Sequence, residues 1–103
     1  MGESADGEFR VQDNPVEGRY EALVGDDLAG FVTYDKVGDQ IVFTHTRVEP
    51  AFEGKGIGGR LASAALDDVR EHGSTVIAEC PFIAEYIQRH PAYADLLAPG
   101  TPA

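Results

Sequence analysis

The sequence has no tryptophan, one methionine and a single cysteine, Cys80. A lone cysteine closes no internal disulfide and supplies too few ligands for a structural zinc site, so side-chain packing must hold the fold. Basic residues are scarce as well: eight lysines and arginines stand against 18 aspartates and glutamates, a formal charge of −10. That field repels nucleic acid and anionic membrane surfaces and concentrates cations, so the expected partner is a cationic one, with no nucleic acid and no membrane. No apolar run approaches the ~18 residues of a membrane span, and the acidic first residues have no apolar stretch behind them. No export signal is expected, and the expected location is the cytoplasm. Asp95, Arg89 and His90 show no ligand spacing, so no metal site is expected either.

What is present fits one domain. With 103 residues, 43% of them apolar, there is material for one modest core and not for two. Residues 1–8 are small, polar and acidic without periodicity and read as a disordered tail. From Phe9 the chain alternates strand-like runs with turns: residues 9–12, 18–24, 28–37 and 40–48, separated by Asp13-Asn14-Pro15, Gly25-Asp26-Asp27 and Gly38-Asp39. Connections that short join only antiparallel neighbours, which predicts a meander of about four strands.

The second half changes period. Ile57, Leu61, Ala65 and Val69 recur at helical spacing, predicting a half-buried helix closed by His72-Gly73. Residues 74–79 then read as a buried β-branched strand, which a right-handed crossover lays parallel beside 40–48. Pro81 suits a first helical turn, so a second helix is expected over about 82–89, stopped at His90-Pro91. One more turn over 93–97 and a frayed end at 98–103 complete the chain. The fold class is α/β, or more strictly α+β: a mixed sheet of about five strands, an antiparallel meander followed by a parallel β-α-β crossover, with two to three helices.

The densest signal lies between strand 40–48 and the long helix. Four glycines fall within six residues, Gly54, Gly56, Gly58 and Gly59. Their entropic cost is tolerated where the backbone needs positive φ or a close approach. At a helix start they leave N–H groups free beside the positive end of the helix dipole, an anion site to which Lys55 and Arg60 add charge. Gly54-x-Gly56-x-x-Gly59 also satisfies the dinucleotide fingerprint, with Glu79 at the distance of a ribose-binding acid. Against that alternative, residues 49–53 separate strand from glycines, an antiparallel meander precedes them, and little chain follows Glu79 to build a doubly wound sheet. The Walker pattern fails, because no Gly-Lys-Ser/Thr occurs.

In this order of elements, and in His45-Thr46, Gly54-Lys55-Gly56-Ile57-Gly58, Cys80, Tyr86-Ile87 and His90-Pro91-x-Tyr93, residues 9–97 resemble the GNAT superfamily of acetyl-CoA-dependent N-acetyltransferases. The resemblance is strongest to its small, single-domain N-acetyltransferase-like subgroup. It implies acetyl-CoA as cofactor, its pyrophosphate cradled by the backbone N–H groups of residues 53–60: Glu53, Gly54, Lys55, Gly56, Ile57, Gly58, Gly59 and Arg60. The pantetheine arm is implied to lie between the strands ending at Val48 and Cys80, bonded to Val48 like an extra strand. Of the superfamily pattern Gln/Arg-x-x-Gly-x-Gly/Ala, Gly56 and Gly58 match, and Glu53 departs from it at the first position. The helices and C-terminal strands that bind the acceptor in full-size members have no counterpart, which leaves the acceptor side open, completed by a partner, or nearly absent.

The resemblance sets Cys80 next to the acetyl thioester, either as a nucleophile or as one more small buried residue. His45 shares its alternation face with Ile41 and Phe43 and is read either as a base for Cys80 or an amine, or as a satisfied core residue. Glu49 and Glu79 are alternative bases, and direct transfer through water needs none. Tyr86 either hydrogen-bonds the cofactor or packs its ring. The implied function is transfer of acetyl from acetyl-CoA to a small-molecule or peptide amine. A coenzyme A-binding or interaction module without turnover is the alternative from another class.

Overall fold

A computed structural model describes residues 8–98. Four strands form the meander: β1 (Phe9–Asn14), β2 (Arg19–Val24), β3 (Asp27–Val37) and β4 (Gln40–Val48). A 3-10 turn at Pro50–Phe52 leads into helix α1 (Ile57–Glu71), then come β5 (Thr75–Ala78), helix α2 (Pro81–Arg89) and a second 3-10 turn, Pro91–Leu96. The sheet order is β1-β2-β3-β4-β5, antiparallel except for the β4–β5 pair. Fold class, meander and parallel crossover are as the periodicities predict.

Both helices and the second 3-10 turn pack on one face of this sheet. The α1 stripe Leu61, Ala65, Leu66 and Val69 is buried against Tyr20, Val32, Phe43 and Val76 from four strands. Tyr20, Tyr34 and Phe43 pack as a tilted and edge-on aromatic cluster inside it. The two phenols are not wasted polar groups: Tyr20 Oη donates to Asp68 Oδ2 at 2.6 Å, tying the sheet to α1, and Tyr34 Oη donates to Asp13 Oδ1 on β1. Burial first, and then the adjoining aspartate, push both phenols well above the usual tyrosine value, so they stay protonated donors.

Three details differ from expectation. Strand β5 is shorter than 74–79 because the N–H groups of Glu79 and Cys80 both turn to the Phe43 carbonyl, at 3.0 and 2.9 Å, which ends the ladder. The second helix begins at Pro81 itself, its missing N–H being one that no helix start can pair. Ala98, expected in the frayed end, is buried and donates its N–H to the Val76 carbonyl at 2.8 Å, beside a parallel bridge between Val76 and Leu97. The readings of a tail over residues 1–7 and a frayed end over 99–103 lie outside the described residues.

Among the described residues no helix covers the other sheet face, and β1 and β2 are joined by a tight turn. Glu21 nevertheless lies only 6% exposed there. It accepts from Arg19 Nε (2.8 Å), Asn14 Nδ2 (3.0 Å) and Gln12 Nε2 (3.2 Å). Burial alone would raise its pKa; the three donors outweigh that and hold the carboxyl below its ordinary value. A lowered folded-state pKa contributes stability that is complete above the unfolded value of about 4.3 and is lost as pH falls through the folded one. Wild type is therefore expected to lose more stability than Glu21→Gln between pH 6 and acid, read from urea midpoints at each pH.

Candidate cofactor site

The site grows from the place where β4 and β5 part. Their pairing runs from Gln40↔Thr75 to Phe43↔Ala78 and stops, while β4 continues to Val48. A wedge thus opens between the two strand ends, with Val48 on one side and Cys80 on the other. Val48 pairs with Gly30 on β3, where a Cβ would come within 2.7 Å of the Arg47 carbonyl. Only glycine allows that close crossing.

Beyond Val48 the chain turns into α1 through the glycines, which divide into different tasks. Gly54 and Gly56 take φ of 82° and 75°, left-handed values that reverse the chain, and Gly56 is the N-cap of α1. A Cβ at either would meet nothing within 4 Å, so this backbone faces open space. Gly58 is different: its Cβ would lie 2.8 Å from Phe82 Cζ, so it is the point where α2 closes on α1. Gly59 borders the Tyr86 ring at ordinary contact distance, 3.9 Å.

The consequence is electrostatic. No side chain caps α1, and its first bond is from the Arg60 N–H to the Gly56 carbonyl at 3.2 Å. Apart from the loose turn over residues 53–56, the N–H groups of residues 54–59 make no well-formed hydrogen bond among the described residues. Lys55 and Arg60 have no carboxylate partner there either, whereas Arg19, Arg47, Arg70 and Arg89 each do. Arg60 instead lies over the Phe9 ring, 3.8 Å from its centroid. An open groove of about 590 Å³ runs from this turn; Phe9, Gly56, Gly59, Arg60, Tyr86 and His90 line it, and farther along α1 so do Ser63, Ala64 and the carboxylate of Asp67, which accepts from Tyr93 Oη at 2.8 Å. Tyr86 stacks on His90 at 4.0 Å, so its ring forms a wall of that groove.

The residues expected to do chemistry are not brought together as a group. Cys80 is buried, 3% exposed, at the N-cap of α2, and its Sγ lies 2.9 Å from Thr46 Oγ1. His45 does not share the face of Ile41 and Phe43. The register passes from Tyr34↔Phe43 to Thr33↔His45, so Thr44 is an extra residue in β4. This bulge reverses the alternation: His45 is exposed on the helix-free face, beside Thr33, and Thr46 takes the place facing Cys80. Neither His45 nor Glu79, which is exposed, touches Cys80, and Glu49 is engaged with Arg47. Thr46 was missed because strict alternation assigns it to the wrong face. Among the described residues no cluster of His, Cys, Asp and Glu suits a metal, and no helix is long and apolar enough to cross a membrane.

Sequence and structure comparisons agree with this geometry. The profile of the GCN5-related N-acetyltransferase family matches residues 19–96. The chain belongs to that family. Proteins named NATD1 from mouse and human are each 39% identical to it over 69 residues, 64% of this chain. The match spans 63% of the mouse protein and 61% of the human one. A GCN5-like protein from Staphylococcus aureus, solved in solution by NMR, superposes with a TM-score of 0.66 at 26% identity, over 86% of this chain and 87% of that one. In this chain the glycine turn is entered from a mostly antiparallel sheet with a single parallel pair. The dinucleotide alternative needs a doubly wound parallel sheet, and this sheet is not one.

If Gly58 serves the contact between helices, enlarging it should be compensated by shrinking its neighbour. Gly58→Val is expected to cost about 1–3 kcal/mol. In a Phe82→Ala background the same change should cost less than half as much, measured by urea unfolding of the four proteins.

Proposed function

We propose that the chain binds acetyl-CoA with its diphosphate on the turn over residues 54–60 and transfers the acetyl group to a cationic amine. The observation that carries this reading is the row of free N–H groups over residues 54–59, at the start of a 15-residue helix and directly beside the wedge between β4 and β5. Backbone donors at a helix N-terminus suit phosphate oxygens, and beside them Lys55 and Arg60 supply cationic side chains without a carboxylate partner among the described residues. The wedge leaves the β4 edge near Val48 without a strand neighbour, which suits an extended amide-bearing arm. Coenzyme A has both parts in one molecule.

Cys80 lies at the inner end of the wedge. In the covalent route its Sγ, as thiolate, attacks the acetyl carbonyl; a new S–C bond forms as the bond to coenzyme A breaks, and coenzyme A leaves as a thiolate that takes up a proton. The amine then attacks this enzyme thioester, forming the amide, releasing Cys80 Sγ and losing a proton to solvent. Thr46 Oγ1, at 2.9 Å, is the hydroxyl placed to hydrogen-bond Sγ. In the direct route the amine attacks the bound thioester and Cys80 is packing only. The burial of Cys80 and the absence of a basic side chain against it favour testing the two on equal terms. The acceptor class follows from charge: a chain of −10 attracts cationic amines and repels acidic ones. A coenzyme A-binding module without turnover is the second reading, because among the described residues no helix covers the second sheet face.

Binding and turnover separate these readings. Coenzyme A at 100 times its Kd is expected to add about 2.7 kcal/mol, on the order of 10 °C in Tm for a domain this size. Gly56→Val, which strains a left-handed residue and projects into open space, should abolish the shift while circular dichroism stays native. A shift with NADH and none with coenzyme A would overturn the binding reading. Acetyl-CoA without amine should leave one hydroxylamine-sensitive acetyl group on wild type and none on Cys80→Ala; a Cys80→Ala enzyme with wild-type turnover would establish direct transfer. Hydrolysis-level turnover with every amine, including polyamines and peptide lysines, would leave the binding module.

A further inference from the structure

We infer that Phe9, on a strand outside the family match, is a positioning residue for the nucleotide end of the site: its ring holds the Arg60 guanidinium in the groove beside the glycine turn. This rests on the coenzyme A reading above. Arg60 is exposed and four residues from the N-cap, where an arginine would normally sample many rotamers. Here its guanidinium lies 3.8 Å from the Phe9 ring centroid, and no carboxylate competes for it among the described residues. Both residues line the same groove as Gly56, Gly59, Tyr86 and His90; Asp67 lines it too, but it forms no ion pair with Arg60 and accepts instead from Tyr93 Oη at 2.8 Å.

The placement comes from the opposite end of the chain. The family match begins at residue 19, so all of β1 lies before it. Phe9 pairs with Val24 across the β1–β2 ladder and shares the helix-side face with Val11. It is only partly buried and packs at the margin of the core, leaving its ring face to Arg60. A cation held over an aromatic ring keeps its N–H groups free for a second partner, unlike one bound by a carboxylate, which would neutralise it. The arrangement thus presents an oriented, uncancelled positive charge where the free N–H groups already favour phosphate. The ligand chemistry it fits is the phosphorylated nucleotide half of coenzyme A and not the uncharged pantetheine arm.

The test is calorimetric titration of the full chain with coenzyme A and competition by pantetheine, for wild type, Phe9→Ala, Phe9→Leu, Phe9→Tyr, Arg60→Ala and the Phe9→Ala/Arg60→Ala double variant, well below each Tm. Phe9→Ala and Phe9→Leu are expected to weaken coenzyme A by about fivefold to tenfold, Phe9→Tyr to restore it, and pantetheine competition to be unchanged. In the Arg60→Ala background Phe9→Ala should change coenzyme A affinity less than twofold. Phe9→Leu restores apolar packing without the ring, so a Leu variant that binds coenzyme A like wild type overturns the inference, as does a full additional loss in the Arg60→Ala background. If wild type itself binds no coenzyme A, the functional reading fails instead, a result distinguishable from either.

Discussion

The carbonyl of Phe43 is the point on which the rest of the structure turns. In a regular parallel ladder it would take one N–H from β5; here it accepts two, from Glu79 and Cys80. Once both are spent on one oxygen, β5 has nothing left to climb with and its chain turns into α2 at Pro81. The next residue of β4, Thr44, is the bulged one. Pairing with β5 therefore ends and the β4 alternation reverses within one residue of each other. The first event opens the wedge, the second decides which side chains look into it.

Because α2 starts so soon after β5, its first turn meets the first turn of α1. That closeness explains Gly58, which has no room for a Cβ beside Phe82, and the nearby Gly59 under Tyr86. The glycines at 54 and 56 answer a different demand, the left-handed reversal that delivers α1 with its uncapped N–H groups outward. One glycine-dense run thus meets two independent constraints, helix packing and backbone reversal, with the N–H groups of the helix start between them.

Most of the fold was legible in the sequence because its signals are local. The strand runs end in Gly/Asp turns, the α1 stripe has helical period, and Pro81 and His90-Pro91 bracket α2. The glycine turn was legible for the same reason. What escaped was whatever depends on register. A bulge leaves no mark in composition, so Thr44 looks like any strand threonine, and the face of His45 was assigned by an alternation that the bulge interrupts. Phe9 escaped because its partner Arg60 is remote in sequence and on another element. The 3-10 turn at Pro50–Phe52 had only Pro50 as a signal, and read as linker.

The departure of Glu53 from the family pattern has a local resolution. A carboxylate pointing into the row of free N–H groups would occupy the anion site itself, yet no hydrogen bond joins Glu53 to that row among the described residues. Its influence falls elsewhere: Arg47 is held above its ordinary value chiefly by its hydrogen bond and charge contact with Glu49, and Glu53 adds to that effect. The hydrogen bonds that Arg47 donates go to Glu49. Arg60, by contrast, lies over Phe9 at the groove, and neither it nor Lys55 has a carboxylate partner among the described residues. In a chain with more than twice as many acids as bases, a helix start whose N–H groups no described carboxylate occupies is the local exception that keeps the positive end of the helix dipole uncancelled.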